Sequence, residues 1–409
     1  MSSILTNNSA MVALQTMKKI NSNMAMTQSE ISTGKSVANA KDNAAVWAIS
    51  KVMESDVKGF KGISDSLNLG SSTVAVAREA AETVTELLTE MKGKIVAAQE
   101  GNVDRGKIQT DVAKLREQIT SVVGAAQFNG LNLVNGSGSG TVSILSSLDR
   151  SSSGVEASSI TVNTQNLSTG GYTAKSVFAA AATPVGNTAV GTSGDSFTFN
   201  LNATTGTAAV RINAGTPAMV AGDQISMRFG DKVASYTVQA SDLTSGNTPA
   251  DMVAIGMKSA IEALGINGLS VQYDSAKPGE LAFANTSGND MTASGQFKNA
   301  NSGGLGALAA IDVSTANGAT QALGSIETLL QTSINAASAF GSSQKQIDIQ
   351  SEFVGKLSDA LKSGIGSMVD ANMEETSARL QALQVQQQLA TQSLSMANQQ
   401  PQNILSLFR

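Results

Sequence analysis

Residues 49–98 read ISKVMESDVKGFKGISDSLNLGSSTVAVAREAAETVTELLTEMKGKIVAA, and their spacing decides the fold. Ile49, Met53, Phe60, Ile63, Leu67, Val74, Ala77, Ala81, Val84, Leu88, Met91, Ile95 and Ala98 recur in steps of four and three. Asp56 and Gly70 fill the two places where the apolar character breaks. That alternation puts every member on one stripe of a helix, the seam of a coiled coil about seven heptads long. At 1.5 Å per residue the helix would run roughly 75 Å, far longer than a helix inside a compact globule. Such a seam must be covered by another of similar length.

Shorter seams flank it. Ala13, Met17, Ile20, Met24, Thr27 and Ile31 precede it, and Ile108, Val112, Leu115, Ile119 and Val122 follow it. The segment STGKSVANAKD (32–42) reads as a joint. There Thr33-Gly34 would end one helix, and Asn39 or Asp42 would cap the next. Asn129-Gly130 is a turn signal.

The matching seam lies at the other end of the chain. Leu323, Ile326, Leu330, Ala337 and Phe340 share one stripe, with Ser333 in a gap, and Ile347, Val354, Leu357, Leu361 and Met368 continue it. The register then slips by one to Val369, Met373, Leu380, Leu383, Ala390, Leu394 and Ala397. A slip of this kind alters the supercoil or marks a joint. The expected fold is α+β, a long antiparallel α-helical coiled-coil bundle of N- and C-terminal segments with an inserted, mainly β central domain. The expected divisions are 1–43 with 369–409, 44–135 with 319–368, and 136–318.

The insertion is rich in Ser, Thr, Gly and Asn, and it alternates. Phe197, Phe199 and Leu201 mark one strand; Ile225, Met227 and Phe229 lead through Gly230-Asp231 to a return strand with Tyr236 and Val238. Thr248-Pro249-Ala250-Asp251 reads as a helix start, and LSVQYD and ELAFAN as further strands.

Composition narrows the function. The 409 residues contain no cysteine and no histidine. A disulfide scaffold, thiolate catalysis and cysteine-bound zinc are excluded, and so are the commonest general base and metal ligand. The net charge of −5 with sparse charged residues argues against a nucleic-acid surface. No apolar run is long enough to span a membrane. The N-terminus lacks the basic and apolar regions of a cleaved secretory signal, so composition alone points to the cytoplasm. GKS (34–36) resembles part of a phosphate loop, but Ser29 stands where its first glycine belongs. STGK (32–35) fits a Ser-x-x-Lys pattern whose companion motifs are absent. No catalytic, cofactor or metal site is expected. The glutamines at 384, 386, 387, 388 and 392 read as a solvated face, or as the lining of an aqueous channel in an assembly.

The two ends pose a packing problem. Residues 1–35 and 370–409 carry apolar stripes on two thin helices with little else to cover them, so they are expected to order only on assembly. The last twelve residues, NQQPQNILSLFR (398–409), sharpen it: Pro401 is expected to stop the helix, leaving Ile404, Leu405, Leu407 and Phe408 as an apolar plug. With Leu380, Leu383 and Leu394 these form the expected interface to neighbouring subunits. A head-to-tail contact that does not close builds a helical filament.

The ends also resemble a known family. ISTGKSVANAKDNAAVWAIS (31–50), QFNGLNLVNG (127–136) and LATQSLSMANQQPQNILSLFR (389–409) are similar to the corresponding segments of bacterial flagellin, in an alphaproteobacterial pattern. Residues 221–286 resemble a small strand–hairpin–helix–strand module of flagellar proteins. The resemblance implies export unfolded through the flagellar type III apparatus, which revises the location to an extracellular filament. It implies an inner tube from the extreme terminal helices, an outer tube from the next bundle, and an insertion facing the medium. Its implied partners are further copies in a helical homopolymer, alone or mixed with related flagellins, an export chaperone, and hook-junction and cap proteins. A hook–filament junction protein and a coiled-coil fibre or adhesin with a β head are the alternative readings.

Overall fold

The structure, a computed structural model, describes residues 7–137, 140–151, 154–181, 188–191, 193–203, 206–244 and 248–406. Helix α1 (Asn8–Thr33) starts at Asn7, whose Oδ1 accepts from Ala10 N at 3.0 Å, and ends at Gly34 in the left-handed conformation (φ 69°) that glycine adopts without penalty. The joint then folds on itself, with Asp42 Oδ2 accepting from the amides of Ala38 and Asn39. Neither Asn39 nor Asp42 caps the next helix. Asn43 does, accepting from Val46 N at 3.2 Å, because Asp42 is already committed to the turn. Helix α2 (Ala44–Ala97) is unbroken over 54 residues, and α3 (Arg105–Ala125) follows, capped by Asp104. Strands β1 (Gln127–Phe128) and β2 (Leu131–Asn132) form a hairpin around Asn129-Gly130, both at positive φ as a two-residue hairpin turn requires.

A long hairpin of β3 (Thr141–Ser151) and β4 (Gly154–Asn163) comes next. The insertion then supplies β5 (Phe178–Ala180), β6 (Ala189–Val190), β7 (Ser196–Leu201), β8 (Gly206–Ile212), β9 (Gln224–Phe229) and β10 (Lys232–Thr237). It continues with α4 (Pro249–Ala263), β11 (Leu269–Tyr273), β12 (Glu280–Asn285) and β13 (Met291–Lys298). Pro249 opens α4 as read from the sequence, although Thr248 makes no side-chain cap bond. Helix α5 (Ala316–Val369) and helix α6 (Met373–Ser406) close the described chain.

The chain folds into two compact units. The larger comprises 67–145 and 159–349. Its insertion holds two antiparallel sheets, ordered β10-β9-β13-β7-β6 and β11-β12-β8-β5. Phe178, Phe197, Phe199, Phe283 and Phe297 are all buried in their core, with Phe178 edge-on to Phe197 at 4.8 Å and Phe197 stacked on Phe199 at 5.5 Å. Lys175 and Asp223 form a buried ion pair at 2.6 Å; the amides of Val220 and Ala300 also donate to Asp223, which compensates the desolvated carboxylate.

The helical part of the larger unit buries Leu67, Val74, Val84, Leu88, Met91 and Ile95 completely. Facing them on α5 are Ile326, Phe340 and Ile347, also fully buried. Polar bonds fix the register of the pair: Thr85 Oγ1 donates to Ser333 Oγ at 2.9 Å, Ser333 Oγ donates to Ala81 O at 3.1 Å, and Arg78 Nε donates to Gln344 at 2.9 Å. Gly70, anomalous in the apolar seam, is explained by β3: a Cβ there would lie 2.6 Å from Ile144 Cδ1.

The smaller unit comprises 1–66, 146–158 and 350–409. Here the seam is thinner. Ile63 is fully buried, Met53, Phe60, Leu357 and Leu361 are half-buried, and Ile49 is 52% exposed. Ile49 therefore does not sit in a buried seam. Met53 lies beside Gly364, so Ile49, about one turn earlier, comes level with the end of α5, where the covering helix stops. The slip in the C-terminal seam coincides with a joint, residues 370–372 between α5 and α6. That joint is bonded to the joint after α1: Ser36 N donates to Val369 O (2.7 Å) and Ala371 N donates to Gly34 O (2.9 Å).

Candidate assembly interface

Beyond the two joints, α1 and α6 pair with each other. Their paired core is small. Ile20, Leu383 and Ala390 are buried, with Met17 and Met24 packed beside them. Thr27 and Thr376 are buried as well, and Thr27 Oγ1 is satisfied by Asn23 O within its own helix. Gln387 Nε2 donates to Asn21 Oδ1 at 2.9 Å, a polar rung across the pair.

Several large apolar side chains on these helices are exposed. Met11, Val12 and Met26 on α1 are 59%, 63% and 54% exposed; Val385, Leu389 and Met396 on α6 are 55%, 58% and 65% exposed. A groove of about 450 Å³ lies between the helices, lined by Val12, Ala13, Thr16, Ala390 and Ser393 among others. Two helices that bury so few apolar side chains and leave larger ones exposed do not offset the entropy of ordering roughly sixty residues.

The expected interface residues are distributed unevenly. Leu383 is 7% exposed and packs inside the chain near Ile20, whereas Leu380 and Leu394 are half-buried. Ile404 and Leu405 lie on the last turn of α6, and Leu407 and Phe408 fall outside the described residues. The expectation that Pro401 stops the helix is wrong: α6 continues through it to Ser406. Asn7 escaped sequence reasoning. Beyond capping α1, its Nδ2 donates to Ala397 O at 2.8 Å. The signal was present, since a proline four residues after Ala397 deprives that carbonyl of its helical donor.

Elsewhere a buried ionisable pair lies in the insertion. Tyr172 donates to buried Asp195. Burial pushes both groups up, and the Tyr172 hydroxyl partly offsets the shift on Asp195. Among the described residues no three acidic, histidine or cysteine side chains gather as a metal site, and no helix is long and apolar enough to cross a membrane.

Comparison with known proteins meets the same two ends. Residues 4–139 match the family described as the bacterial flagellin N-terminal helical region, and residues 323–408 match the bacterial flagellin C-terminal helical region. Flagellin A of Rhizobium meliloti is 36% identical over 423 residues, with all of both chains covered. Flagellin FljM of Caulobacter vibrioides is 27% identical over 412 residues, covering all of this chain and 99% of its own. The FliC structure from Burkholderia pseudomallei is 18% identical and covers 68% of this chain and 99% of that one, at a TM-score of 0.32. Matched at both terminal helical regions and along its whole length, the chain belongs to the bacterial flagellin family, as a structural subunit of the extracellular flagellar filament.

Proposed function

We propose that α1 and α6 are the element through which this filament subunit polymerises. The observation that carries the reading is the imbalance on that pair: among the described residues, three buried apolar side chains against exposed ones that include Met11, Val12, Leu389 and Met396. Neighbouring copies would cover the exposed stripes and add the apolar burial that a lone pair lacks. In this reading Leu380, Leu394, Ile404, Leu405, Leu407 and Phe408 belong to the contact with those neighbours, and Leu383 supports it from within. Residues 1–43 with 369–409 form the inner layer of the filament, 44–135 with 319–368 the outer layer, and 136–318 the surface toward the medium.

The same exposed face of α6 suits an export chaperone before assembly. Hook-junction and cap proteins would meet the filament ends through like surfaces, and related flagellins could enter the same lattice. The role is structural, with no catalysis, cofactor, nucleic acid or membrane insertion. Full-length likeness to flagellins favours the filament subunit over a junction protein.

Deleting residues 398–409 tests the reading. Seeded filament growth should be abolished while the helicity of the monomer stays near normal. Normal filaments from the truncated chain would refute it.

A further inference from the structure

Helix α6 crosses Pro401 and runs on to Ser406. Proline has no amide hydrogen, so the carbonyl four residues earlier, that of Ala397, loses the donor the helix would otherwise give it. The side chain of Asn7 supplies a donor from the other terminal helix, with Nδ2 2.8 Å from Ala397 O. The other atom of the same amide is also used, because Asn7 Oδ1 accepts from Ala10 N at 3.0 Å and caps α1. One planar group thus answers two unpaired backbone atoms, one at the start of α1 and one in α6.

We propose that Asn7 is a positioning residue for filament assembly, a clasp that fixes the register of α1 against α6 at the point Pro401 creates. The bonds between the two joints hold the other end of the pair, and at this end little else sets its register. Among the described residues its buried apolar core is Ile20, Leu383 and Ala390, and the rung between Asn21 and Gln387 lies far down the helices from Asn7. A slip along α6 would leave both the Ala397 carbonyl and the Asn7 amide unpaired, and would misalign the exposed stripes that neighbouring copies must match. Asparagine is suited to both tasks because its amide carries donor and acceptor on separate atoms. Serine or aspartate keeps the cap but loses the reach or the donor. The proposal rests on the reading that α1 and α6 drive assembly.

The test is a cycle between Asn7→Ser and Pro401→Ala in the full-length chain, read as the critical concentration for seeded polymerisation. Ser caps a helix as well as Asn does, so the cap is held constant. In the native background Asn7→Ser should raise the critical concentration about fivefold, the equivalent of one ordinary hydrogen bond. Asn7→Asp, which keeps the acceptor and loses the donor, should move it in the same direction. With Pro401→Ala, residue 401 regains an N–H for Ala397, and Asn7→Ser should then change the critical concentration less than about twofold. An equal effect of Asn7→Ser in both backgrounds would overturn the clasp. So would an unchanged critical concentration in both Asn7→Ser and Asn7→Asp, even if Pro401→Ala failed to assemble. Failure of the underlying reading looks different: it is normal growth after removal of 398–409.

Discussion

Gly70→Ala and Gly93→Ala make the same change on the same helix and should move stability in opposite directions. Replacing a helical glycine by alanine ordinarily stabilises by about 0.5–1 kcal/mol, through helix propensity and a less flexible unfolded chain. Gly93 meets that condition, since an added Cβ has nothing within 4 Å. Gly70 does not. Its Cβ would lie 2.6 Å from Ile144 Cδ1, 2.7 Å from Cγ2 and 2.9 Å from Cγ1. Carbon pairs prefer about 3.5–4.0 Å, so three atoms must each retreat by close to 1 Å. Ile144 is 6% exposed on β3, and β-branching makes its χ1 stiff, so rotation alone does not clear the clash. The strand has to lift from α2. Overpacking of this kind costs about 1–3 kcal/mol, and with three close contacts on a stiff side chain it outweighs the propensity gain, leaving a net loss of up to about 2.5 kcal/mol.

Chemical denaturation of the monomer, followed by helical circular dichroism, reads the difference. The two alanine variants should differ by the overpacking cost, about 1–3 kcal/mol. A second arm removes the obstructing atoms. Ile144→Ala alone should cost about 2–5 kcal/mol, but combined with Gly70→Ala it should cost less than the sum, by about 1–2 kcal/mol, because the new methyl fills the space vacated. If Gly70→Ala matched Gly93→Ala in stability, the hairpin would not rest on α2 at this point, and the explanation of the glycine in the seam would fail.

Three further outcomes follow from other contacts. Leu88→Asp places an unpaired carboxylate at a fully buried position and should cost several kcal/mol, whereas Ile49→Asp, at a 52% exposed position, should stay within about 0.5 kcal/mol in the monomer; equal melting curves would remove the distinction. Ser333→Ala breaks the bonds to Thr85 and Ala81 in the buried seam and should cost about 1–2 kcal/mol by denaturant titration, with Thr85→Val non-additive to it. Burial, aided by the carboxylates of Asp242 and Asp251, pushes Tyr236 and Tyr273 up to about 12 from 10.0. A phenol raised in the folded state contributes its full stability below pH 10 and loses it as pH climbs to about 12, so the insertion should weaken across that window. Tyr236→Phe should flatten that decline in an alkaline melting series, and an unchanged slope would contradict the assignment.

How much of this was legible depended on whether a signal repeats. The seam of α2 was readable because burial recurs at Ile63, Leu67, Val74, Val84, Leu88, Met91 and Ile95 with the period of the sequence pattern. The strands of the insertion were readable where alternation met turn residues, as at Gly230 between β9 and β10. Features that depend on a single partner were not. Ile49 belongs to the sequence pattern but comes level with the end of α5, and a stripe on one helix does not announce the length of another. Asn43 took the cap from Asp42 because two amides in the preceding turn already claim that carboxylate. Leu383 looked like surface for a partner and is covered by the chain's own α1.

Pro401 misleads for a related physical reason. The rule that proline ends a helix rests on two local penalties, a lost hydrogen bond and a crowded carbonyl. Both fall on Ala397, and the rule assumes that nothing else reaches that atom. Here a residue 390 positions away donates to it. A penalty that is local in sequence can thus be compensated by the other end of the chain, and only while that end is in place. Such compensation makes α6 beyond Ala397 conditional on α1. The helical continuation through Pro401 then becomes a property of α1 and α6 together.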